Sequence, residues 1–578
     1  MKWYDSPETL PGVVSNLMTS DSQRQYRFAA ILRMYEPALV PEYMVNRFTV
    51  PISIQSETAK INIINSIIRH AVNYFGRSYP KPVFLPYGGK DVRDRADVST
   101  NFVNGLFYTK DLYSNLRKSL LHAAIGGTGA IKVVEGFDDI YYETVLPTEI
   151  QVFKEEAEAG NIRSLFQVKH IDKEILKAQY PEFAPRIEQA KTADGCPTRI
   201  QVCEGWHLKS GPNEKDGVHQ IVISPDIIVV NEEFTSDKFP ISFFNYYDPP
   251  VGFWGEGLGQ LLVPYQVKIN QLLRNIEANI KAGGNLKIWL DKDSGISPDQ
   301  FNNDLRGIML VGRGNPPRHI VQPLVSAEIL NHLDYLINNA WQAARFNPQQ
   351  GVGQLPTGIT SRVALLTVQD MQAEQHLMTG KQFNNHVLEI AELTMDAAKR
   401  IYERTGKMET FFKSGKKIEK ISLEDALMNE DEFQIEIRAS SRTRDSVAGR
   451  LELAEYLADR GIWNKEQVLE ALDLPGIMDD LDAELAESRN IDAYLRSIEK
   501  GEKRPPHAYM NLELAKFKAL KKYNQLEYEE ASPTVLTLLS QFIQEVDIKL
   551  AEAQPSQPVQ AEQQAQVAPE ALPVAPLP

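Results

Sequence analysis

Two amphipathic patterns bracket a run of short strands between Tyr246 and Phe346, and few folds accommodate that arrangement. Apolar residues at Leu258, Leu262, Tyr265, Ile269, Leu272 and Ile276 recur at the spacing of one helix face. Gln266, Asn270, Arg274, Glu277 and Lys281 fall on the opposite, polar face. Pro264 fits as a kink or as the first residue of the main rod, because it lacks an N–H. From Pro264 to Ala282 the rod would be roughly 28 Å long, and Gly283-Gly284 ends it. Short strands follow (Leu286–Leu290, Gly307–Val311) among turn residues. Ser326 then reads as an N-cap, and Leu330, Leu333, Ile337, Ala340, Trp341 and Ala344 mark one face of a second helix ending at Phe346. The segment predicts two rods carrying a small module at their ends.

The 578 residues suffice for several domains, and 43% hydrophobic with 24% charged residues is ordinary for a globular chain. No run approaches the ~18 apolar residues of a membrane span, and Met1-Lys2-Trp3-Tyr4-Asp5 lacks the apolar run of a signal peptide. Cys196 and Cys203 are too few for a disulfide framework and read as thiols in a reducing compartment.

N-terminal to the rods, helices are predicted at Ser22–Tyr35, at Thr58–Phe75 (Ile61, Ile64, Ile68 and Val72 on one face) and within Asp91–Ile125. Proline-bearing turns surround the first. From Ile131 to Tyr247 the pattern is mainly β, with strands expected at Ile131–Val134, Tyr141–Leu146, Ile150–Phe153, Ser164–His170, Ile200–His207, Gln220–Ile223 and Ile227–Val230. A helix at Lys173–Gln179 interrupts them. Lys238-Phe239-Pro240-Ile241 and Asp248-Pro249-Pro250 read as a link into the first rod. C-terminal to the rods, Asn347–Thr360 is rich in Gly, Pro and Gln and carries no charge. Ser361–Arg404 follows as one long helical pattern spanning roughly 66 Å, with Gly380 as a plausible bend, since glycine costs about 1 kcal/mol against alanine there. Phe433–Arg438 alternates as a strand, Thr443–Asp459 reads as a helix, and Asn464 caps a short one. Asp479–Glu552 is helical with a break near Arg504-Pro505-Pro506. Residues 553–578 are Gln, Ala, Pro and Val and read as disordered.

Tests for chemistry fail one by one. Gly126-Gly127-Thr128-Gly129 follows a helix and enters a strand, the reverse of a P-loop, and reads as a tight turn. Asp291-Lys292-Asp293 opens like a calcium loop but has Gly295 and Asn302 where ligands are needed. His376 and His386 lack partners at metal-ligand spacing and read as surface or packing residues. No GxSxG occurs, and the acidic run Asp479–Glu484 suits a solvated helix start. No catalytic residue, metal or cofactor is expected. One charge feature remains: Lys281, Lys287, Lys292, Arg306, Arg313 and Arg318 oppose Asp291, Asp293, Asp299 and Asp304, which makes Lys281–Val325 locally basic in a chain of net charge −15.

The order of elements resembles the portal proteins of tailed bacteriophages. It runs Gly255-Glu256-Gly257, a helix with Gln266 and Ile269-Asn270, a small module, a second helix, a Gln/Gly loop and a long helix. The resemblance covers about residues 50 to 475 and rests on order rather than on one motif. It implies an α+β portal-like fold with a strand-rich wing (1–250 and 406–476), a two-helix stem (251–283 and 326–346) and a small α/β clip (284–325). It also implies a tunnel loop (347–360), a long kinked helix (361–405) and a helical crown (477–552), before the tail at 553–578. It implies a homo-oligomeric ring, expected as a dodecamer, at one capsid vertex of the virion, assembled in the host bacterial cytoplasm. Its expected partners are double-stranded DNA in the channel, the terminase large subunit, the major capsid or scaffolding protein and tail adaptor proteins, with no membrane. On that reading Arg274, Lys281, Lys287, Arg306, Arg313 and Arg318 would form a basic channel or clip surface. Gln349, Gln350, Gly351, Gly353, Gln354 and Gly358 would form the tunnel loop, and Gly380 the helix kink. Net charge −15 argues against a DNA-coating protein but not against a channel along which DNA slides. Another head–tail structural protein and a ring-forming nucleic-acid motor are the alternatives.

Overall fold

A computed structural model describes residues 2–36, 61–77, 80–87, 90–192, 198–211, 214–284, 287–289, 318–320, 327–348, 374–414, 417–426, 433–438, 456–460, 477–499, 501–507, 509–528 and 532–553. The chain divides into two compact units, one of Met1–Leu85 with Arg95–Ser440, the other of Pro86–Asp94 with Ser441–Pro578. Helices and several antiparallel sheets coexist, so the fold class is α+β.

In the first unit, α1 (Leu10–Ser20) precedes α2 (Ser22–Tyr35). The second matches its expected span. The first corrects the expectation of a proline-bearing turn, because Pro11 sits in the opening turn of α1, where a missing N–H costs nothing. Helix α3 (Ile63–Phe75) starts later than Thr58, at the N-cap Asn62, whose side chain accepts from Asn65 N at 2.9 Å. Strand β1 (Lys81–Pro86) leads to α4 (Lys90–Thr109) and α5 (Leu112–Gly126), separated at Asp111 in the left-handed region (φ 52°).

Strands β2 (Thr128–Glu135) and β3 (Ile140–Val145) form a three-stranded antiparallel sheet with β9 (Ile241–Asn245), in the order β3-β2-β9. Strands β4 (Ile150–Val152), β5 (Ser164–Asp172), β6 (Arg199–His207), β7 (Val218–Ile223) and β8 (Ile227–Glu233) form a five-stranded meander. Helix α6 (Lys173–Gln179) lies where the sequence places it. Alternation along β5 decides what covers each face. Phe166 and Val168 pack with Trp3 and with Leu10, Val14 and Met18 of α1, while Leu165 packs with Trp206 and with Ala130, Val145 and Ile241 of the smaller sheet. Strand β9 falls where only a proline-bearing link was expected. Pro240 precedes its first residue, a position that leaves the β2 ladder intact.

Helix α7 (Leu258–Gly284) carries Pro264 within it, and α8 (Ala327–Ala343) packs against it. Between them β10 (Lys287–Trp289) pairs antiparallel with β11 (Arg318–Ile320). The expected strand at Gly307–Val311 lies outside the described residues, and β11 was not foreseen. Helix α9 (Leu377–Thr405) is the described part of the long pattern expected from Ser361. His376 is a turn residue between the helical pair Glu374–Gln375 and α9, while Gly380 lies inside the first turn of α9. A hairpin of β12 (Glu409–Ser414) and β13 (Lys417–Ser422) follows, unanticipated, and then β14 (Phe433–Arg438), which pairs with β1.

In the second unit α10 (Ile477–Glu499), α11 (Leu512–Tyr528) and α12 (Pro533–Ala553) share a core. It is built from Ile491, Leu495, Ile498, Ala515, Ala519, Leu539, Phe542 and Val546. The break between α10 and α11 includes Arg504-Pro505-Pro506, as expected. Asn464, most of Thr443–Asp459 and residues 554–578 lie outside the described residues.

Candidate functional site

The first rod is anchored at its base by close backbone packing. Gly127 (φ 101°) turns the chain from α5 into β2, and a methyl placed on it would stand 2.0 Å from the Gly255 carbonyl oxygen. A methyl on Gly257 would meet Gly127 N at 2.6 Å and Ala123 O at 2.8 Å. The two glycine runs that stand out in the sequence therefore interlock. Tyr246 N donates to Gly127 O at 2.8 Å, and Gly255 N to Thr128 Oγ1 at 3.0 Å. The space over the Gly126–Gly129 turn is filled by this backbone, so a phosphate has no room there.

Gln266, on the polar face of α7, does not face solvent. It is buried, its Oε1 accepts from Ile63 N at 2.9 Å and its Nε2 donates to Ile61 O at 2.8 Å. One side chain of α7 thus satisfies an orphan donor in the first turn of α3, a bond worth about 1 kcal/mol net. Leu258, Leu262 and Ile269 are fully buried on α7, as their spacing predicts, whereas Leu330 of α8 is exposed.

The far end of α8 is held by stacked rings. His376 stacks on Phe346 at 4.4 Å and shares a hydrogen bond with Arg345 O at 3.1 Å. His70 of α3 meets Phe346 edge-on at 4.9 Å and Trp341 at 5.8 Å. Burial draws the His70 imidazole below its ordinary value. The chain leaves this cluster just after Phe346 and returns at His376. Gln349, Gln350, Gly351, Gly353, Gln354 and Gly358 lie between, outside the described residues.

Of the basic residues, Arg274 is half-buried on α7 and Lys281 is exposed in its last turn, where a cation complements the helix dipole. Lys287 pairs with Ile320 and Arg318 with Trp289, so these two basic positions are brought onto one two-stranded ladder. Arg306 and Arg313 lie outside the described residues, as does the Asp291–Asp293 run.

Two serine–histidine contacts invite a catalytic reading and do not support it. Ser242 Oγ lies 2.7 Å from His386 Nδ1 and 2.5 Å from Glu389 Oε2, but Ser242 is 0% and His386 1% exposed. Burial lowers the His386 pKa to about 3, so the ring is neutral. Ser164 Oγ lies 3.0 Å from His207 Nδ1, beneath the Trp3 indole that donates to it at 3.3 Å. A hydroxyl sealed in this way cannot reach a substrate carbonyl. Among the described residues no group of three or more His, Cys, Asp or Glu side chains is placed to hold a metal ion. None of their helices is long and apolar enough to cross a membrane.

Sequence reasoning missed a charged cluster between the two sheets. Lys132 Nζ donates to Glu204 Oε2 at 2.5 Å and to Gln167 Oε1 at 3.3 Å. His219 lies with Nε2 3.0 Å from Glu204 Oε1 and Nδ1 2.8 Å from Glu232 Oε1. Trp206 is sandwiched between the His219 ring (5.5 Å, 7°) and the Lys132 ammonium (4.7 Å). The sequence signal was a lysine inside a strand, flanked by Ala130, Ile131, Val133 and Val134.

Compared with known proteins, residues 54–238 match the family model described as Phage P22-like portal protein. No curated protein matches the chain. The matched stretch is about a third of the chain and runs from before α3 to beyond β8. It ends before the rods. The match supports the resemblance drawn from element order and falls within the N-terminal part of the stretch that the resemblance covers.

Proposed function

We propose, from the portal-family match over residues 54–238 together with the two-rod segment, that this chain is a phage portal protein. In this reading it forms a ring, expected as a dodecamer, at one vertex of the capsid. It passes double-stranded DNA inward on packaging and outward on ejection, and it docks the terminase large subunit, the capsid or scaffolding protein and the tail adaptors. The family match carries the reading. The helix pair with a two-stranded antiparallel ladder between its members supports it, as does the meeting of Phe346 and His376 in one aromatic cluster. We assign the basic collar to Arg274, Lys281, Lys287, Arg306, Arg313 and Arg318. The uncharged 347–360 loop, with Gln349, Gln350 and Gln354, is the surface that meets moving DNA, because neutral amides hold phosphate weakly. The glycines of that loop and Gly380 would supply backbone freedom. Another head–tail structural protein would not account for the portal match. A nucleotide-driven motor is disfavoured by the filled glycine turn.

Reversing the collar tests this assignment. A phage carrying Lys287→Glu, Arg306→Glu, Arg313→Glu and Arg318→Glu together will assemble portal rings normally. Its yield of DNA-filled, tailed particles will fall at least about tenfold, as contacts to phosphate or to an acidic partner are lost. Unchanged yield would remove the collar from the account.

A further inference from the structure

The first unit holds a cavity of about 540 Å³ beside the edge strand β9, within the ~300–1,000 Å³ range of ligand clefts. Its walls include Phe239, Phe243 and Phe253, and its carboxylates are Asp237, Asp248 and Glu389. Lys238, the one cation among the described lining residues, donates to Glu392 at 2.5 Å and is already matched. Asp248 accepts from Gln382, and Glu389 from Ser242. The cavity is therefore aromatic-walled and net negative, which suits an aromatic or apolar group bearing a cation.

Such a group stands at the end of the same sheet, on the turn beyond β2. The turn joining β2 to β3 carries Phe137, 80% exposed, with the Arg404 guanidinium 5.8 Å from its ring centre. Arg404 Nη2 is held by carbonyls, Gly136 O at 2.5 Å and Phe137 O at 2.8 Å. The other cations of the turn are matched by carboxylates, Lys110 by Asp139 and Arg400 by Glu135. Asp138 is the turn's remaining acidic residue and is exposed. Strand β9 pairs with β2 with Ile241 opposite Lys132, so the turn, which continues beyond Glu135, lies past the end of β2 and outside the cavity, where Phe137 stands exposed.

We infer that the Phe137–Arg404 tip of one copy enters the β9 cavity of the next. A knob and a socket on different faces of one chain make a head-to-tail interface, the kind that closes into a ring when the rotation permits. The inference rests on the ring reading above and names the surfaces involved.

Cross-linking tests it on the full chain. An Asp138→Cys/Pro249→Cys double variant, which joins the tip to an uncharged residue of the cavity wall, oxidised and run under denaturing conditions, should give a ladder of linked subunits that neither single variant gives. Electron microscopy of the same samples scores rings independently. Phe137→Ala should raise the protein concentration needed for half-assembly at least about tenfold, as a buried aromatic anchor is lost. Rings without a ladder, together with unchanged assembly of Phe137→Ala, would overturn the knob and socket and leave the ring standing. Absence of rings in the unmutated protein would overturn both.

Discussion

Gly127→Ala will leave most of the chain insoluble, and any soluble fraction will melt far below the unmutated protein. Two costs combine at this position. The residue holds φ 101°, a conformation that costs an L side chain on the order of 1–3 kcal/mol. The added methyl also lies 2.0 Å from the Gly255 carbonyl, so the base of α7 must move away from the end of α5. Overpacking of this kind adds about 1–3 kcal/mol, and here the obstacle is backbone, which cannot swing aside. Gly252→Ala is the matched control. Its φ is 91°, yet nothing lies within 4 Å of the added methyl, so only the dihedral strain applies. Circular-dichroism melts of the two variants side by side check the account. Equal melting would mean that the interlocked glycines do not fix the first rod.

Breaking the buried pair between the sheets has the second large effect. Lys132 and Glu204 have side chains 9% and 14% exposed. Lys132→Met leaves the buried Glu204 carboxylate with His219 as its remaining charge partner and will destabilise the first unit by up to about 3 kcal/mol. Lys132→Met with Glu204→Gln removes both charges and will recover part of that loss. Burial alone would raise the Glu204 carboxyl, but Lys132 and His219 outweigh it and hold the pKa at about 2. Burial likewise opposes charge on His219, but Glu204 and Glu232 outweigh it and raise the imidazole above 6.5. Burial draws the Lys132 ammonium down, and Glu204 draws it up.

The signs of the two main shifts bracket a pH window. The lowered Glu204 contributes stability that is full above its unfolded value near 4.5 and fades as pH falls towards about 2. The raised His219 contributes stability that is full below its unfolded value of 6.5 and fades as pH rises through the folded one. The cluster therefore stabilises most between about pH 4.5 and 6.5. Denaturant titrations across pH check this: His219→Phe should flatten the decline on the alkaline side. An unchanged profile would take His219 out of the cluster.

What was legible in the sequence follows from what periodicity encodes. Strands β2 to β8, the helices Ser22–Tyr35 and Lys173–Gln179, and the strand Phe433–Arg438 were found because their apolar residues sit at strand or helix spacing. Helix α1 was hidden by Pro11, and β9 by the prolines on either side of it. The β12–β13 hairpin was hidden by Lys413, Lys417, Glu419 and Lys420, which mask its alternation. The burial of Gln266 was hidden because polarity sorts helix faces without revealing a hydrogen-bond partner two hundred residues away. Lys132 and Glu204 looked like ordinary strand charges until the two sheets were stacked. The β9 cavity draws on residues from Ala157 to Glu389, and no local pattern could have assembled it. Of the site residues read from sequence, the structure brings together Lys287 and Arg318 and places Arg274, Lys281 and Gly380 on helices.

Negative-stain electron microscopy of the purified full-length protein tests the central claim most directly. The account predicts closed rings with a stain-filled central channel, seen end-on. Particles that remain single compact subunits, at concentrations where the protein is otherwise folded and soluble, would contradict it.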